Sequence, residues 1–187
     1  NAALAFKGAD PTPFQGQTEP RLRVNYWGTV RLTDGLLDLI RRTGQNPQVV
    51  TVASLAGHLG QVARFLQEQF SSTSLTREKL NALVTKFASD VASGQHRDQG
   101  WSSSNYGMSK LAMIAYTKMV AREEATLGSN IKVNCCCPGY CATDMSSHRG
   151  SRHAADGAKN ASMIALQAEG ANALNGEFIQ NEAVSSW

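Results

Sequence analysis

The 187-residue sequence lacks the features of a membrane or secreted protein. No stretch approaches the roughly 18 consecutive apolar residues that a transmembrane helix needs. The first residues also lack the charged and then apolar layout of a signal peptide. We therefore expect a soluble, cytoplasmic protein. With 42% hydrophobic residues the chain can form one sizeable core, and no repeat or linker divides it, so we predict one domain over residues 1–187.

Charge is sparse and evenly spread. The 18 Lys and Arg residues and the 15 Asp and Glu residues give a formal net charge of +3. They form no basic run and no aromatic-interleaved stripe of the kind that nucleic-acid-binding proteins carry. A nucleic acid is therefore not expected as a partner.

Cysteine is also scarce, and three of the four cysteines, Cys135, Cys136 and Cys137, are consecutive. Neighbouring residues of a strand point to opposite faces of a sheet, so this run does not suit a disulfide framework. Cys137 and Cys141 are not accompanied by a second Cys or His pair at zinc-like spacing. We expect reduced thiols and no metal site.

The spacing of apolar and chain-breaking residues predicts alternating helices and strands. Helices are expected at residues 18–42, 62–69, 76–93, 104–127 and 154–166, and strands at 48–54, 131–137 and 176–180. This alternation is typical of an α/β fold with a parallel sheet. Ligands of such sheets bind beyond the carboxyl ends of the strands, which singles out Ser54 and residues 138–145.

The segment NYGMSK places Tyr106 and Lys110 four residues apart, on one face of a predicted helix. A nearby ammonium group can lower the pKa of a phenol, and a hydroxyl such as that of Ser54 can hold a carbonyl oxygen in line with it. Together they suit protonation of a carbonyl while a cofactor delivers hydride. Each of these motifs taken alone also has a purely structural interpretation. Tyr106 and Lys110 can be an ordinary surface pair, Ser54 can be a turn or cap residue, and PGYCATDM can be a turn that ends a strand.

In combination these motifs resemble those of the short-chain dehydrogenase/reductase superfamily, and within it the carbonyl reductases. The similar segments are NAALAFKGADPTPF, VNYWGT, VVTVAS, NYGMSK, CCPGYCATDM and NGEFIQNEAVSSW, which together extend over the whole chain. The resemblance implies a Rossmann-like doubly wound parallel sheet that is incomplete at its amino terminus. It also implies that the protein reduces aldehydes, ketones or quinones with NADPH as the cofactor.

The resemblance further implies roles for individual residues. Ser54 would position the substrate carbonyl, Tyr106 would donate the proton, and Lys110 would bind the nicotinamide ribose and lower the pKa of Tyr106. Asn25 would support a water relay to Lys110. Tyr140 would contribute a pocket aromatic, unless it only packs within its loop. The nicotinamide end of the cofactor would be bordered by Tyr106, Lys110, Pro138, Gly139, Cys141, Thr143 and Asp144.

Residues 61–100 resemble a helical insertion of the carbonyl reductases. In that family the insertion covers a face that other members use for subunit pairing. A monomer is therefore implied.

The sequence also departs from the family pattern. No Gly-x-x-x-Gly-x-Gly motif occurs, so the backbone donors that would hold the cofactor pyrophosphate are missing, and Ala3 replaces a usual glycine. Two hypotheses stay open: the catalytic carboxyl-terminal part of an NADPH-dependent carbonyl reductase, or a truncated chain that acts only in binding. Within the enzyme hypothesis, an alcohol-oxidising relative acting on steroids or retinoids is the alternative.

Overall fold

The computed structural model of the chain describes residues 2–170 and 172–187. Asn1, the first residue of the segment compared with the family's strand end, lies outside this range. The helices are α1 (Phe14–Leu22), α2 (Thr29–Thr43), α3 (Arg64–Phe70), α4 (Arg77–Ala92), α5 (Asn105–Thr126) and α6 (Ala154–Ala165), and a π-helical segment (Arg23–Gly28) joins α1 to α2. The strands are β1 (Gln48–Val52), β2 (Lys132–Cys136), β3 (Phe178–Gln180) and β4 (Ala183–Val184).

The strands form one sheet in the order β1-β2-β3-β4. β1 runs parallel to β2, with Val50 opposite Asn134, and β2 runs parallel to β3, with Cys135 opposite Phe178. β4 pairs with β3 in the antiparallel direction. The predicted α/β class is confirmed: the chain forms part of a Rossmann-like fold around a mainly parallel sheet.

Helices cover both faces of the sheet, and β2 contacts both layers. Cys135 packs with Ile114 of α5, whereas Cys136 packs with Ile164 of α6. The consecutive cysteines therefore point to opposite faces, as the strand pattern predicts. All four cysteines are free thiols, and burial raises the pKa of Cys136 to about 11.

The predicted helix at residues 18–42 differs most from the structure. The helix begins earlier than predicted, at Phe14. Six residues in its middle, Arg23–Gly28, adopt the wider π-helical winding, and the backbone is helical on both sides of them. The predicted strand at residues 48–54 ends at Val52, so Ser54 lies in the following loop. The two-residue strand β4 is too short to leave a pattern in the sequence.

The segment between the two site motifs folds as α3 and α4, and α4 packs against α1 and α5. Leu80, Val84 and Phe87 of α4 are buried in the same apolar cluster as Leu111 of α5. The Thr76 hydroxyl accepts a hydrogen bond from the Lys79 N–H and caps the helix, as the sequence suggests. None of the helices in the described residues has the length and apolar character needed to cross a membrane.

A partly buried ion pair ties α2 to α5, and its loss is expected to destabilise the fold. The Arg41 Nε donates to Glu124 Oε2 at 2.9 Å, and the Glu124 side chain is 1% exposed while that of Arg41 is 32% exposed. The hydrogen bonds from Arg41 hold the pKa of Glu124 below its ordinary value. A carboxyl group whose pKa is lowered by folding stabilises the folded state at pH values above the pKa of the unfolded chain. This contribution is lost as the pH falls through the pKa of the folded state.

We therefore predict that Arg41→Met lowers the free energy of unfolding at neutral pH by about 2–3 kcal/mol, since it leaves a buried carboxylate without its partner. The difference from the unchanged protein should shrink as the pH falls below about 4.3, the ordinary pKa of Glu. Urea denaturation across this pH range measures both quantities. The adjacent exposed Arg42→Met is the matched control, and an equal effect of both substitutions would contradict the assignment to Glu124.

Candidate active site

Ser54 follows β1 in extended conformation and caps a short 3₁₀ turn, Leu55–Gly57, by accepting a hydrogen bond from the Ala56 N–H at 3.2 Å. Gly57 brings this turn against α5. A Cβ atom at Gly57 would lie 2.7 Å from the backbone carbon of Lys110, so no larger residue fits without displacement of the backbone. The absence of this side chain therefore determines how closely Ser54 approaches the helix that carries Tyr106.

The first turn of α5 is fitted to the same loop. The Ser104 hydroxyl caps the helix by accepting from the Gly107 N–H at 2.9 Å. A Cβ atom at Gly107 would lie 2.8 Å from the Ala56 carbonyl oxygen, which accepts a hydrogen bond from Gln61 Nε2 at 2.8 Å. Gly57 and Gly107 thus allow the Leu55–Gly57 turn and the first turns of α5 to pack in direct contact. Neither glycine stands out in the sequence, because a close approach between distant segments leaves no signal in a single sequence.

Ser54, Tyr106 and Lys110 come together where these segments meet. Ser54 lies close enough to Tyr106 for its hydroxyl to affect the pKa of the phenol. The Lys110 ammonium lies 5.6 Å from the centroid of the Tyr106 ring and donates to the Val52 carbonyl oxygen at 2.9 Å. Lys110 is only 2% exposed, so its charge is held inside the protein at the carboxyl end of β1.

The charges at this site differ from the expectation. Burial raises the pKa of Tyr106, and the Ser54 hydroxyl and the positive charge of Arg21 oppose this increase without overcoming it. Burial also lowers the pKa of Lys110 to about 8. The predicted lowering of the Tyr106 pKa by Lys110 is therefore not found: desolvation of the phenol dominates, and the Lys110 nitrogen is bound to a backbone carbonyl oxygen.

Asn25 lies in the π-helical segment and is fully buried. Its Oδ1 accepts from the Leu4 N–H at 2.7 Å, and its Nδ2 donates to the Leu4 carbonyl at 3.1 Å and to Ser109 Oγ at 3.0 Å. The side chain thus joins residues 3–5 to α5 close to Tyr106. Single π-turns often occur at functional sites. The water relay from Asn25 to Lys110 stays a prediction.

The loop after β2 forms the opposite wall. Gly139 adopts a positive φ of 80°, and Gly157 of α6 lets the loop come close: a Cβ there would lie 2.3 Å from the Cys141 sulfur. The buried Asn160 fixes the start of the loop, since its Nδ2 donates to the Cys137 carbonyl oxygen at 2.7 Å and its Oδ1 accepts from the Glu182 N–H at 2.8 Å. Neither Gly157 nor Asn160 belongs to a motif that sequence reasoning used.

A cavity of about 800 Å³ lies between these walls, at the carboxyl ends of the strands. It is mostly apolar, and its volume suits a small-molecule site. Of the predicted site residues, Ser54, Tyr106, Pro138, Gly139, Tyr140, Cys141 and Thr143 line it. Tyr140 is 58% exposed at the cavity surface.

Three predicted site residues do not line the cavity: Asn25, Lys110 and Asp144. The first two are buried behind the wall. The third, Asp144, has a carboxylate that is 99% exposed and lies 2.9 Å from His148 Nε2, and its place in the cofactor set stays a prediction. Residues 2–170 and 172–187 contain no group of three His, Cys, Asp or Glu residues that could hold a metal ion.

The residues around the cavity fit the nicotinamide end of a dinucleotide. Ser54 and Tyr106 supply hydroxyl groups to a cavity wall that is otherwise mostly apolar. Such a wall suits a flat ring that presents few hydrogen-bonding groups. Lys110 lies directly behind Tyr106.

Comparison with known proteins agrees with this geometry. Residues 68–154 match the family model for short chain dehydrogenase. Carbonyl reductase [NADPH] 1 of Homo sapiens is 35% identical over all of this chain and 68% of its own length, and that of Bos taurus is 37% identical over the same shares. Salutaridine reductase from Papaver somniferum superposes with a TM-score of 0.77 and 28% identity over 86% of this chain.

This chain spans 54% of the length of salutaridine reductase and 68% of that of the two carbonyl reductases. Carbonyl reductase Sniffer of D. melanogaster, at 18% identity and a TM-score of 0.65 over 100% of this chain, shares the fold. The extent of the sequence similarity shows that this chain belongs to the short-chain dehydrogenase/reductase family and is of the carbonyl reductase type.

Proposed function

We propose that this chain carries the catalytic part of an NADPH-dependent reductase that converts aldehydes, ketones or quinones to alcohols. The observation that carries the proposal is the meeting of the Ser54 and Tyr106 hydroxyls at one end of an apolar cavity, with Lys110 behind them. Both relatives at 35–37% identity are named for the same cofactor and the same class of reaction.

In the proposed reaction the substrate carbonyl oxygen lies between the Ser54 and Tyr106 hydroxyls. Ser54 donates a hydrogen bond that stabilises the negative charge developing on this oxygen. Tyr106 transfers its proton to the oxygen, which becomes the alcohol hydroxyl, and the resulting phenolate regains a proton from solvent. When bound, NADPH supplies the hydride that the carbonyl carbon accepts. Lys110, which is charged below about pH 8 and lies beside the Tyr106 ring, binds the nicotinamide ribose in this proposal.

The state of Tyr106 favours reduction over alcohol oxidation. Because burial raises its pKa, the phenol keeps its proton at neutral pH and is ready to donate it. Oxidation of an alcohol requires the phenolate at the start, which this environment disfavours.

Tyr106, Lys110, Pro138, Gly139, Cys141 and Thr143 are the residues proposed to hold the nicotinamide end of NADPH. We propose further that the protein acts as a monomer in the cytoplasm. Two observations support this: α4 covers α1 and α5, and the four thiols are unpaired.

The proposed function is tested by following NADPH consumption with an aldehyde, a ketone and a quinone, and by identifying the alcohol that forms. The measurement should be made on the 187-residue chain and on any longer product of its coding sequence. Activity of either protein supports the proposal. Absence of NADPH-dependent alcohol formation from both would leave the binding-only hypothesis.

Substitution of Ser54 by alanine is predicted to lower kcat by about 10²–10³-fold, because the developing oxyanion loses a preorganised hydrogen-bond donor. KM should change much less, since the cavity walls remain. Steady-state kinetics with NADPH and one ketone measure both constants. Ser129→Ala is the matched control, because the Ser129 hydroxyl likewise accepts from the N–H two residues later, that of Ile131, and does not line the cavity. An equal loss of kcat in both variants would assign Ser54 a structural role only.

A further inference from the structure

The loop that follows β2 leaves the sheet with two consecutive carbonyl groups held by side chains from outside the strand. The Cys137 N–H still donates to the Ile179 carbonyl oxygen of β3 at 2.9 Å, but the Cys137 carbonyl oxygen accepts from Asn160 Nδ2 of α6 at 2.7 Å. The next carbonyl oxygen, that of Pro138, accepts from Arg152 Nη1 at 3.2 Å. Cys137 and Pro138 both line the cavity, so these two side chains act on its wall.

The same two side chains also reach the turn between β3 and β4. Asn160 Oδ1 accepts from the Glu182 N–H at 2.8 Å, and Arg152 Nη2 donates to Asn181 Oδ1 at 3.4 Å. Two bridges therefore join one loop to one two-residue turn. Asn160 is 1% exposed and its bond to Cys137 is buried, so removal of the amide would leave a buried carbonyl oxygen without a partner.

The turn between β3 and β4 adopts a backbone conformation that its sequence favours only in part. Asn181 has a φ of 49° and Glu182 a φ of 62°, both in the left-handed region. Two-residue hairpin turns require this region at both central residues, and asparagine and glycine suit it. For a glutamate it is unfavourable, because the Cβ atom approaches the following carbonyl oxygen. Strained backbone of this kind persists where the surrounding structure fixes it, and here the bond from the Glu182 N–H to Asn160 is one such contact.

Packing of α6 alone does not account for an asparagine at this position. Ile164 of the same helix packs with Cys136 and Ile179, and Ala161 packs against this cluster. An apolar side chain in place of Asn160 would serve such packing without the cost of burying an amide. The amide instead uses its donor on the loop and its acceptor on the turn. Asn160 is therefore suited to holding the loop and the turn together.

We propose that Asn160, assisted by Arg152, is a positioning residue of the proposed cofactor site: it fastens the loop after β2 to the β3–β4 turn and so keeps the loop in the conformation that receives the nicotinamide end of NADPH. Neither residue lines the cavity, so both act through the loop and not by touching the cofactor. This inference rests on the proposed function, in which loop residues between 138 and 143 border the nicotinamide.

The first measurement is the rate at which iodoacetamide alkylates each cysteine of the folded 187-residue chain, which requires neither cofactor nor turnover. Cys137 is 5% exposed at the start of the loop, whereas Cys135, within β2, is 0% exposed. Asn160→Ala should accelerate alkylation of Cys137 about tenfold, because the loop and the turn each lose a hydrogen bond. Alkylation of Cys135 should not change, because opening of the loop leaves the strand in place. Arg152→Met should accelerate Cys137 to a smaller extent, since its hydrogen bonds are longer.

Asn134→Ala is the matched control for the loss of a buried asparagine. Asn134 Nδ2 donates to the Leu174 carbonyl oxygen at 2.7 Å, and its Oδ1 accepts from the Glu177 N–H at 3.0 Å. None of these three residues lines the cavity. This substitution should lower thermal stability as Asn160→Ala does, without selective alkylation of Cys137.

The second measurement is the KM for NADPH, in whichever protein reduces carbonyls: the 187-residue chain or a longer product of its coding sequence. Asn160→Ala should raise this KM about tenfold and change kcat much less, because the loop is misplaced before the cofactor binds while Ser54 and Tyr106 remain in place. Asn134→Ala should change neither constant.

The proposal is overturned if Asn160→Ala accelerates Cys135 and Cys137 equally, which would assign Asn160 to overall stability, or if the KM for NADPH does not change. Should Asn160→Ala fail to fold, Arg152→Met replaces it in both measurements. Selective alkylation of Cys137 in a protein that reduces no carbonyl would refute the proposed function alone. Carbonyl reduction with Cys137 alkylated at the original rate would refute the role of Asn160 alone.

Discussion

Tyr106→Phe is expected to lower kcat for carbonyl reduction by about 10³-fold or more, the largest effect of any single substitution in this chain. The substitution removes one oxygen atom and leaves the ring, which lies beside the buried Lys110. Packing should therefore be preserved, and the loss should reflect the missing proton donor. Ser54 would still hold the carbonyl oxygen, so substrate binding and KM should change little.

The measurement is NADPH consumption under saturating substrate, with thermal unfolding of each variant recorded in parallel. Tyr116→Phe is the matched control, because it removes a second phenol hydroxyl from the same helix. Tyr116 donates to Asp34 Oδ1 at 2.5 Å, outside the cavity. We expect this control to lose about 1 kcal/mol of stability with an unchanged kcat. Retention of turnover by Tyr106→Phe would remove the assigned acid and the mechanism built on it.

The second large effect is expected at a glycine rather than at a reactive group. Gly57→Ala should lower the free energy of unfolding by about 1–3 kcal/mol, because the added Cβ meets the backbone of Lys110 and Leu111 at 2.7–2.9 Å. The turn must then move away from α5, and Ser54, three residues earlier, moves with it. Since a displacement of about 1 Å can cost 10²-fold in rate, kcat should fall by about that factor.

Gly60→Ala provides a control within the same loop. A Cβ atom added at Gly60 would lie 3.5 Å from His58 Nδ1, which is an ordinary van der Waals contact, and Gly60 is exposed. Urea denaturation and steady-state kinetics are measured for both variants. They distinguish the clash of the added Cβ at Gly57 with α5 from a loss of loop flexibility, which both substitutions cause. If Gly57→Ala and Gly60→Ala behave alike, the close approach of the turn to α5 does not position Ser54.

The predicted order of helices and strands agrees with the structure because local patterns determine it. The stripe of Leu80, Val84 and Phe87 predicts α4, and these residues are buried on one face as expected. The bounds of the helices after β1 agree within one or two residues where caps or glycines are present. Patterns of this kind depend only on neighbours in the chain, so a single sequence contains them.

Features that depend on contacts between distant segments were not predictable in this way. The π-helical winding around Asn25 accompanies hydrogen bonds of Asn25 to Leu4 and Ser109, which no local pattern encodes. Asp144 lies within the predicted loop, residues 138–145, but its carboxylate is exposed in the 3₁₀ turn Asp144–Ser146 and does not line the cavity. Its proximity in the chain to Thr143 therefore did not bring it to the cavity.

The sequence by itself determined the α/β fold, the positions of Ser54, Tyr106 and Lys110 relative to the strand and helix ends, and the resemblance that led to the family. The spacing of residues along the chain determines which of them share one face of a helix. The positions where strands end determine which side chains lie at the carboxyl edge of the sheet. Only the tertiary structure decided the charge state of the site. Burial raises the pKa of Tyr106 and lowers that of Lys110, because desolvation depends on how helices and strands pack in space, which spacing along the chain does not specify.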